Sequence, residues 1–209
     1  MSRTFGRLVL ILALLVWAPL VHAQQISIVA FGHSGVNGNG KSSATGLSGG
    51  VPMAEAWPAL VERNLRARGW DVKVTNKGIA GDTAARALRR VDADVPQGTT
   101  LTMIWIGSNE VRAGARPDDV MKDVTAVAQA ARKKSSRILL LADSQPDPPL
   151  RFVVTWISGT YDQQTKYPVA QYDSGDKEHL NAAGNELIAQ RAVPDVERVL
   201  TELGFKPSR

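Results

Sequence analysis

The stretch ISIVAFGHSG, residues 26–35, decides how the whole chain is read. Five of its first six residues are apolar, and the run breaks off in Gly32-His33-Ser34-Gly35. A short apolar run rich in β-branched residues and ending in glycine predicts a strand buried in a parallel sheet. That strand delivers Ser34 to the carboxyl edge of the sheet, where open α/β sheets bind and react. Gly32 permits a sharp turn before the hydroxyl, and Gly35 leaves room after it. A serine so placed is a nucleophile, a phosphate-loop residue or simply the first residue of a turn. The rest of the chain has to choose among these.

Upstream, Arg3 and Arg7 precede an apolar run over 8–16 and then Val21-His22-Ala23. This order predicts a secretory signal over residues 1–23, cleaved after Ala23, and a periplasmic or secreted mature protein. Pro19 interrupts the apolar run, which is short for a membrane span, so no stable span is expected after cleavage. Residues 24–209 are enough for one domain with a full core and too few for two ordinary ones. Losing Arg3 and Arg7 takes the formal net charge from +5 to +3, and the remaining Lys and Arg are scattered, so no nucleic-acid partner is expected. The chain has no cysteine, which excludes thiol catalysis, disulfides and cysteine metal sites.

Downstream, the glycine-, serine- and asparagine-rich residues 36–51 read as a mobile loop over the strand ends. Trp57, Leu60, Val61 and Leu65 then share one face of a helix over 54–68, with Pro58 in its first turn and Gly69 at its stop. A short strand over 70–75 is followed by a tight loop over 76–83, where Asp82 or Thr83 is placed to cap the next helix. Residues 99–106 form an apolar, central strand ending in Gly107-Ser108-Asn109-Glu110. Pro117-Asp118-Asp119 opens another helix, and Arg132-Lys133-Lys134 suits its C-terminus. Residues 137–142 are a fourth strand. The resulting β-α-β-α-β-α-β order implies α/β architecture: a single three-layer domain with a mostly parallel, four- to five-stranded sheet and helices on both faces. Residues 143–150 are short for a parallel crossover, so 152–157 read as an antiparallel or edge strand or an irregular packed segment. Residues 160–175 are polar and turn-rich, and a final helix runs from about Asn181, bent or restarted at Pro194, to Leu203.

Acyl transfer to water needs a hydroxyl nucleophile, a base, a carboxylate to orient that base, and donors for an oxyanion. The mature chain has two histidines, His33 and His179. His33 adjoins Ser34 on extended backbone, where neighbouring side chains diverge, so His179 is the better base. Asp176, three residues earlier, is within reach of its Nδ1. Plainer roles exist for each: Gly81 fits a βα turn, Asn109 a helix cap, Asp176 a cap of the last helix, and Asp143 a strand-end loop. A rival motif also follows the first strand. Residues 35–42, GVNGNGKS, satisfy the phosphate-loop pattern, with Asp143 as the acidic strand end. A phosphate loop must open a helix, however, and 43–52 hold three glycines and a proline.

As an ordered set, FGHSG around Ser34, NKGIAGDTA around Gly81, IGSNE around Asn109 and DKEHLNAAG around Asp176 and His179 resemble the SGNH hydrolases, the GDSL-type esterase and lipase family. AEAWPALVERNL, with Trp57-Pro58, looks like the helix after the nucleophile in the branch of periplasmic thioesterase/lysophospholipases and arylesterases. The resemblance implies a flavodoxin-like fold and hydrolysis of a small-molecule ester or thioester without cofactor or metal. It implies Ser34 as nucleophile, His179 as base and Asp176 as its partner, with the Ser34 N–H, the Gly81 N–H and the Asn109 amide as the oxyanion hole. Three departures stand out: His33 in place of Asp before the serine, Ser108 and Glu110 in place of Gly and Asp around Asn109, and no expected crossover helix after the fourth strand. These changes leave open a noncatalytic binder of carbohydrate or lipid on the same fold.

Overall fold

The computed structural model describes residues 25–42, 45–142 and 152–208, so the expected signal segment and Asp143 lie outside the described residues. Strand β1 (Ile26–Gly32) leads into a one-turn helix α1 (Ser34–Asn37) and a hairpin of β2 (Asn39–Lys41) and β3 (Ser48–Gly50). Helix α2 (Trp57–Ala67) leads to β4 (Val72–Gly78), and α3 (Ala84–Asp94) to β5 (Thr99–Trp105). The short α4 (Ser108–Arg112) and α5 (Pro117–Arg132) precede β6 (Ser135–Ala142), and β7 (Val153–Trp156) and α6 (Ala182–Glu202) follow.

The central sheet has the order β4-β1-β5-β6-β7, and every pairing in it is parallel. The chain winds one way from β1 to β4 and the other way to β5, which opens a crevice beyond the carboxyl ends of β1 and β5. Successive strand residues point to opposite faces. Thus Val29, Phe31, Ile104 and Leu140 pack with α3 and α5, whereas Ile28, Ala30, Met103 and Leu139 pack with α2 and α6. Helices cover both faces, so β1 is apolar almost throughout, and β5 buries Thr99 and Thr102 beside Leu101, Met103, Ile104 and Trp105. The α2 face expected from helical spacing is buried as Trp57, Leu60, Val61 and Leu65.

Three local expectations are corrected. First, β7 is an edge strand but runs parallel to β6, pairing Leu139 with Val153 through Ala142 with Trp156. A long crossover is needed only when a strand must return the full length of its neighbour. Here the chain returns over three residues of rise, about 10 Å, within the reach of a short link. Second, residues 36–51 are not loop throughout, because Asn39, Gly40 and Lys41 pair antiparallel with Gly50, Gly49 and Ser48. Lacking apolar alternation, this hairpin carries no strand signal. Residues of the phosphate-loop pattern instead lie in α1 and β2, which Lys41 closes, so the described part of this segment is not a phosphate loop. Third, β4 continues to Gly78, into the expected loop, because Asn76, Lys77 and Gly78 pair with Ala30, Phe31 and Gly32. Thr83 rather than Asp82 caps α3, and α6 is continuous through Pro194.

One buried amide joins the helices on the α6 side of the sheet. Asn185 is 2 % exposed; its Oδ1 accepts the Trp57 N–H at 3.0 Å, and its Nδ2 donates to the carbonyls of Leu180 and Asn181. The Trp57 indole N–H in turn donates to the Gly35 carbonyl at 3.0 Å, tying α2 to the turn that carries Ser34. Replacing Asn185 with Ala orphans a buried helix N-terminal donor, with an expected destabilisation of about 2 kcal/mol. Urea unfolding with an unchanged m-value is the check, and a loss within error of zero would show that this amide is not a structural joint.

Candidate active site

At the end of β1 the backbone passes very close to β5. A Cβ placed on Gly32 would lie 1.9 Å from the Trp105 carbonyl oxygen, so no side chain fits there. The Gly32 carbonyl accepts from Ile79 N and from Arg90 Nη2, each at 2.9 Å, and the His33 N–H donates to the Trp105 carbonyl. Ser34 is therefore launched from a point fixed by β4, β5 and α3 together. Asn76 Nδ2 donates to the Val36 carbonyl and Asn37 Nδ2 to the Gly78 carbonyl, which hold the far side of the turn.

His33 caps α1. Its Nδ1 accepts the Gly35 N–H at 2.9 Å, so Nδ1 carries no proton and the neutral ring holds its proton on Nε2. That Nε2–H donates to Ser108 Oγ at 2.7 Å. The ring also lies against Trp105, with centroids 5.1 Å apart. Burial, with smaller contributions from the positive charge of Arg112 and from His179, pushes the His33 pKa down to about 3. His33 thus serves as a neutral bridge between the serine turn and the start of α4. The replacements at 33 and 108 are the two ends of one hydrogen bond.

Asp176 and His179 lie in the turn before α6, and both are buried. Asp176 Oδ1 accepts from the N–H groups of Glu178 and His179 and from Ser174 Oγ, at 3.0, 2.9 and 3.1 Å. Its Oδ2 lies 2.5 Å from His179 Nδ1. Burial works against the charge, but the imidazole and backbone donors outweigh it and hold the Asp176 pKa below its ordinary value. An ionised Asp176 requires the proton on Nδ1, which leaves His179 Nε2 as the free acceptor. A Cβ built on Gly40 would lie 2.6 Å from that Nε2 and 3.1 Å from Ser34 Cβ, so serine and imidazole flank the same point of the hairpin backbone. Asp176 does not cap α6; Asn181 does, accepting from Gly184 N.

The loop after β4 and the helix after β5 complete the rim. Asn109 Nδ2 donates to the Asp82 carbonyl at 2.7 Å, while its Oδ1 accepts from Arg112 Nη2 at 2.6 Å. Arg112 therefore fixes which way the amide faces, and the second Nδ2 hydrogen is left for the cleft. The N–H groups of Ser34 and Gly81 donate to no acceptor among the described residues. Glu110 Oε1 accepts the Ala84 N–H at 2.5 Å, joining α4 to the N-terminus of α3. The loop carrying Gly81 is braced from below, where Arg90 bonds Asp82, Asp94 and the Lys77 carbonyl and stacks over Phe31. Ser34, Gly81, Asn109 and His179 all line one cleft of about 570 Å³, and Asp176 lies behind the imidazole.

All five residues singled out from the sequence thus come together at the expected rim. Sequence reasoning missed Arg112, Arg90, Ser174 and the hairpin glycines. Of these, only Arg112 left a trace, three residues beyond Asn109 and so on the same helical face.

Fold and cleft define a three-layer α/β protein with its polar residues gathered at the topological switch point, the layout of SGNH hydrolases. The chain belongs to the GDSL-like lipase/acylhydrolase family, whose profile matches residues 30–196. It is 32% identical over 112 residues to the esterase TesA of Pseudomonas aeruginosa, covering 53% of this chain and 54% of that one, so the match spans about half of the relative. A solved TesA structure has a TM-score of 0.62 at 22% identity, over 83% of this chain and 99% of the other. The aryl esterase of M. smegmatis gives 0.62 at 14% identity, over 84% and 100%. At these identities the structural likeness speaks for the fold.

His33 makes the site acid-sensitive in a way that can be measured. Its folded pKa lies below the unfolded value of about 6.5, so below that pH the unfolded chain binds a proton that the folded one refuses. Stability is lost as pH falls from about 6.5 toward 3, at up to about 1.4 kcal/mol per unit. His33→Asn keeps an acceptor for the Gly35 N–H but does not titrate. Between about pH 7.5 and about pH 4.5 the wild type is expected to lose roughly 2–3 kcal/mol more unfolding free energy than the variant. Equal losses would refute a neutral, buried His33.

Proposed function

We propose that the chain is a serine hydrolase that cleaves carboxylic esters or thioesters through an acyl-serine intermediate. The observation that carries this reading is that His179 Nε2 and Ser34 Cβ lie 2.6 and 3.1 Å from one and the same point, the position a Cβ on Gly40 would take, with Asp176 holding the far nitrogen of the ring. His179 Nε2 takes the proton of Ser34 Oγ as the oxygen adds to the substrate carbonyl carbon. The carbonyl oxygen becomes an anion and accepts from the N–H groups of Ser34 and Gly81 and from Asn109 Nδ2, donors already in place before the reaction. Collapse of the adduct breaks the bond to the alcohol or thiol, which leaves with the proton held by His179. Water, deprotonated by the same nitrogen, then attacks the acyl-serine and frees the acid. The family membership and the TesA match support ester chemistry, and the N-terminal sequence supports action outside the cytoplasm.

Short-chain aryl esters and a fluorophosphonate probe test the assignment. Ser34→Ala is expected to abolish both turnover and labelling, and His179→Ala to lower kcat by at least about 10³-fold. A noncatalytic binder predicts neither activity in the wild type. Labelling that survives in Ser34→Ala would place the nucleophile elsewhere.

The hairpin gives a second test. A Cβ on Gly49 would fall 2.2 Å from the Asp176 carboxylate. Gly49→Ala must displace either the hairpin or the carboxylate, and a displacement of about 1 Å costs on the order of 100-fold in kcat. Wild-type kcat in a folded Gly49→Ala variant would show that the hairpin does not hold the aspartate in place.

A further inference from the structure

The cleft that holds Ser34 and His179 is also lined by Lys41, Arg112 and Lys166. The three cations come from separate segments: the hairpin, α4 and the turn between Tyr161 and Pro168. None of them forms a salt bridge among the described residues. Arg112 spends one nitrogen on the Asn109 amide and none on a carboxylate. Lys166 stands at a left-handed φ of 61°, in a turn where Asp162 Oδ1 accepts from Gln164 N, Thr165 N and Thr165 Oγ1. That turn is closed by the bridge between Tyr161 and Pro168, so the ammonium is presented by a built loop. The nearby charge on its own turn is Asp162, which is exposed and whose pKa is lowered chiefly by the Thr165 backbone and hydroxyl. Against the three cations the cleft lining holds one carboxylate, Glu178, itself buried.

A cleft whose wall charges are mostly of one sign concentrates ligands of the other and raises their association rate, by roughly 10- to 1000-fold at low ionic strength. We infer that Lys41, Arg112 and Lys166 form a subsite for an anionic group, a carboxylate or a phosphate, carried by the ester substrate. The inference rests on the serine-hydrolase reading and names the class of ester that the site selects. The guanidinium offers a planar pair of donors and the two ammonium groups offer mobile point charges, a set that suits an oxyanion of either geometry.

Matched esters separate the charge from the chemistry. On the acyl side, mono-para-nitrophenyl glutarate is compared with para-nitrophenyl pentanoate. On the alcohol side, para-acetoxyphenylacetate is compared with its amide, and para-acetoxyphenyl phosphate distinguishes phosphate from carboxylate. At low salt the anionic member of at least one pair is expected to show a kcat/KM roughly tenfold above its neutral partner. That ratio should fall toward one as salt shortens the screening length, and should collapse in Lys41→Met/Lys166→Met. The arm that responds identifies the side of the ester and the kind of anion. Turnover of all the esters with ratios near one, independent of salt, overturns the subsite and leaves the hydrolase reading standing. No turnover of any ester overturns both. The salt dependence is measured on the wild-type protein, so it decides the matter even if the double variant does not fold.

Discussion

The rung between Gly32 on β1 and Trp105 on β5, where a Cβ on the glycine would collide with the tryptophan carbonyl, sets the position of everything above it. Parallel strands diverge at a switch point because their connections leave to opposite sides, and the crevice between them is only as narrow as the last rung allows. A glycine there brings the chain leaving β1 and the chain leaving β5 to the same rim. Ser34 and Asn109 each follow within four residues of that rung. The carbonyl of Gly32 is then held by Arg90, whose guanidinium also bonds Asp82 and Asp94. One side chain so braces the end of β1, the end of β4 and the loop bearing Gly81, with much of its charge compensated by Asp82, which is 1 % exposed. Breaking a buried pair of this kind by removing one partner typically costs about 3–5 kcal/mol, and the penalty would fall on the geometry of the rim.

Above that seam, the departures from the family pattern form local compensations. A histidine at 33 buries an imidazole that must stay neutral, and a serine at 108 supplies the acceptor that its Nε2–H needs. Either change alone would leave a buried polar group without a partner, at a cost of about 1–3 kcal/mol. Glu110 is compensated in part: its Oε1 satisfies the first free N–H of α3, where a carboxylate is favoured by the helix dipole, and its Oε2 is buried without a partner among the described residues. The loops that carry the candidate donors are therefore altered in identity but still joined to each other, α1 to α4 through the 33–108 contact and α4 to α3 through Glu110.

Much of this was legible in the sequence. The apolar runs at residues 28–31 of β1 and 103–106 at the end of β5 reported a sheet covered on both faces, and the helical spacing of Trp57, Leu60, Val61 and Leu65 reported the face that α2 buries. Local pattern marked the strand and helix edges on which the five candidates lie, and the resemblance to the SGNH hydrolases singled out Gly81 and Asn109 among the residues there. Register was not legible. The direction of β7 depends on how far along β6 it pairs, and four residues of strand carry no record of that. The hairpin escaped because it is held by backbone pairing and by contacts to distant residues, such as the Gly50 N–H to Ser174 Oγ, rather than by an apolar face. The orientation of the Asn109 amide was half hidden: Arg112 stands three residues along the same helix, but the Asp82 carbonyl is brought to the amide by tertiary packing.

The hairpin explains how a site at an open sheet edge keeps a charged carboxylate nearly dry. Asp176 is 1 % exposed, and an isolated carboxylate at that depth would be driven to protonate. Three donors on Oδ1 and the imidazole on Oδ2 offset the lost hydration, and Ser174 Oγ, one of the three, itself accepts from Gly50 at the end of the hairpin. The glycines at 40 and 49 face each other across the β2–β3 ladder. Their missing side chains let β2 lie close against the imidazole and β3 close against the carboxylate. Because the folded-state pKa of Asp176 is depressed, its contribution to stability is present above the ordinary carboxylate range, about pH 4, and is lost as the pH falls through the folded value. The same hydrogen bonds that stabilise the fold above that range also keep Nδ1 protonated and Nε2 free, so structural integrity and readiness to accept a proton depend on a single ionisation.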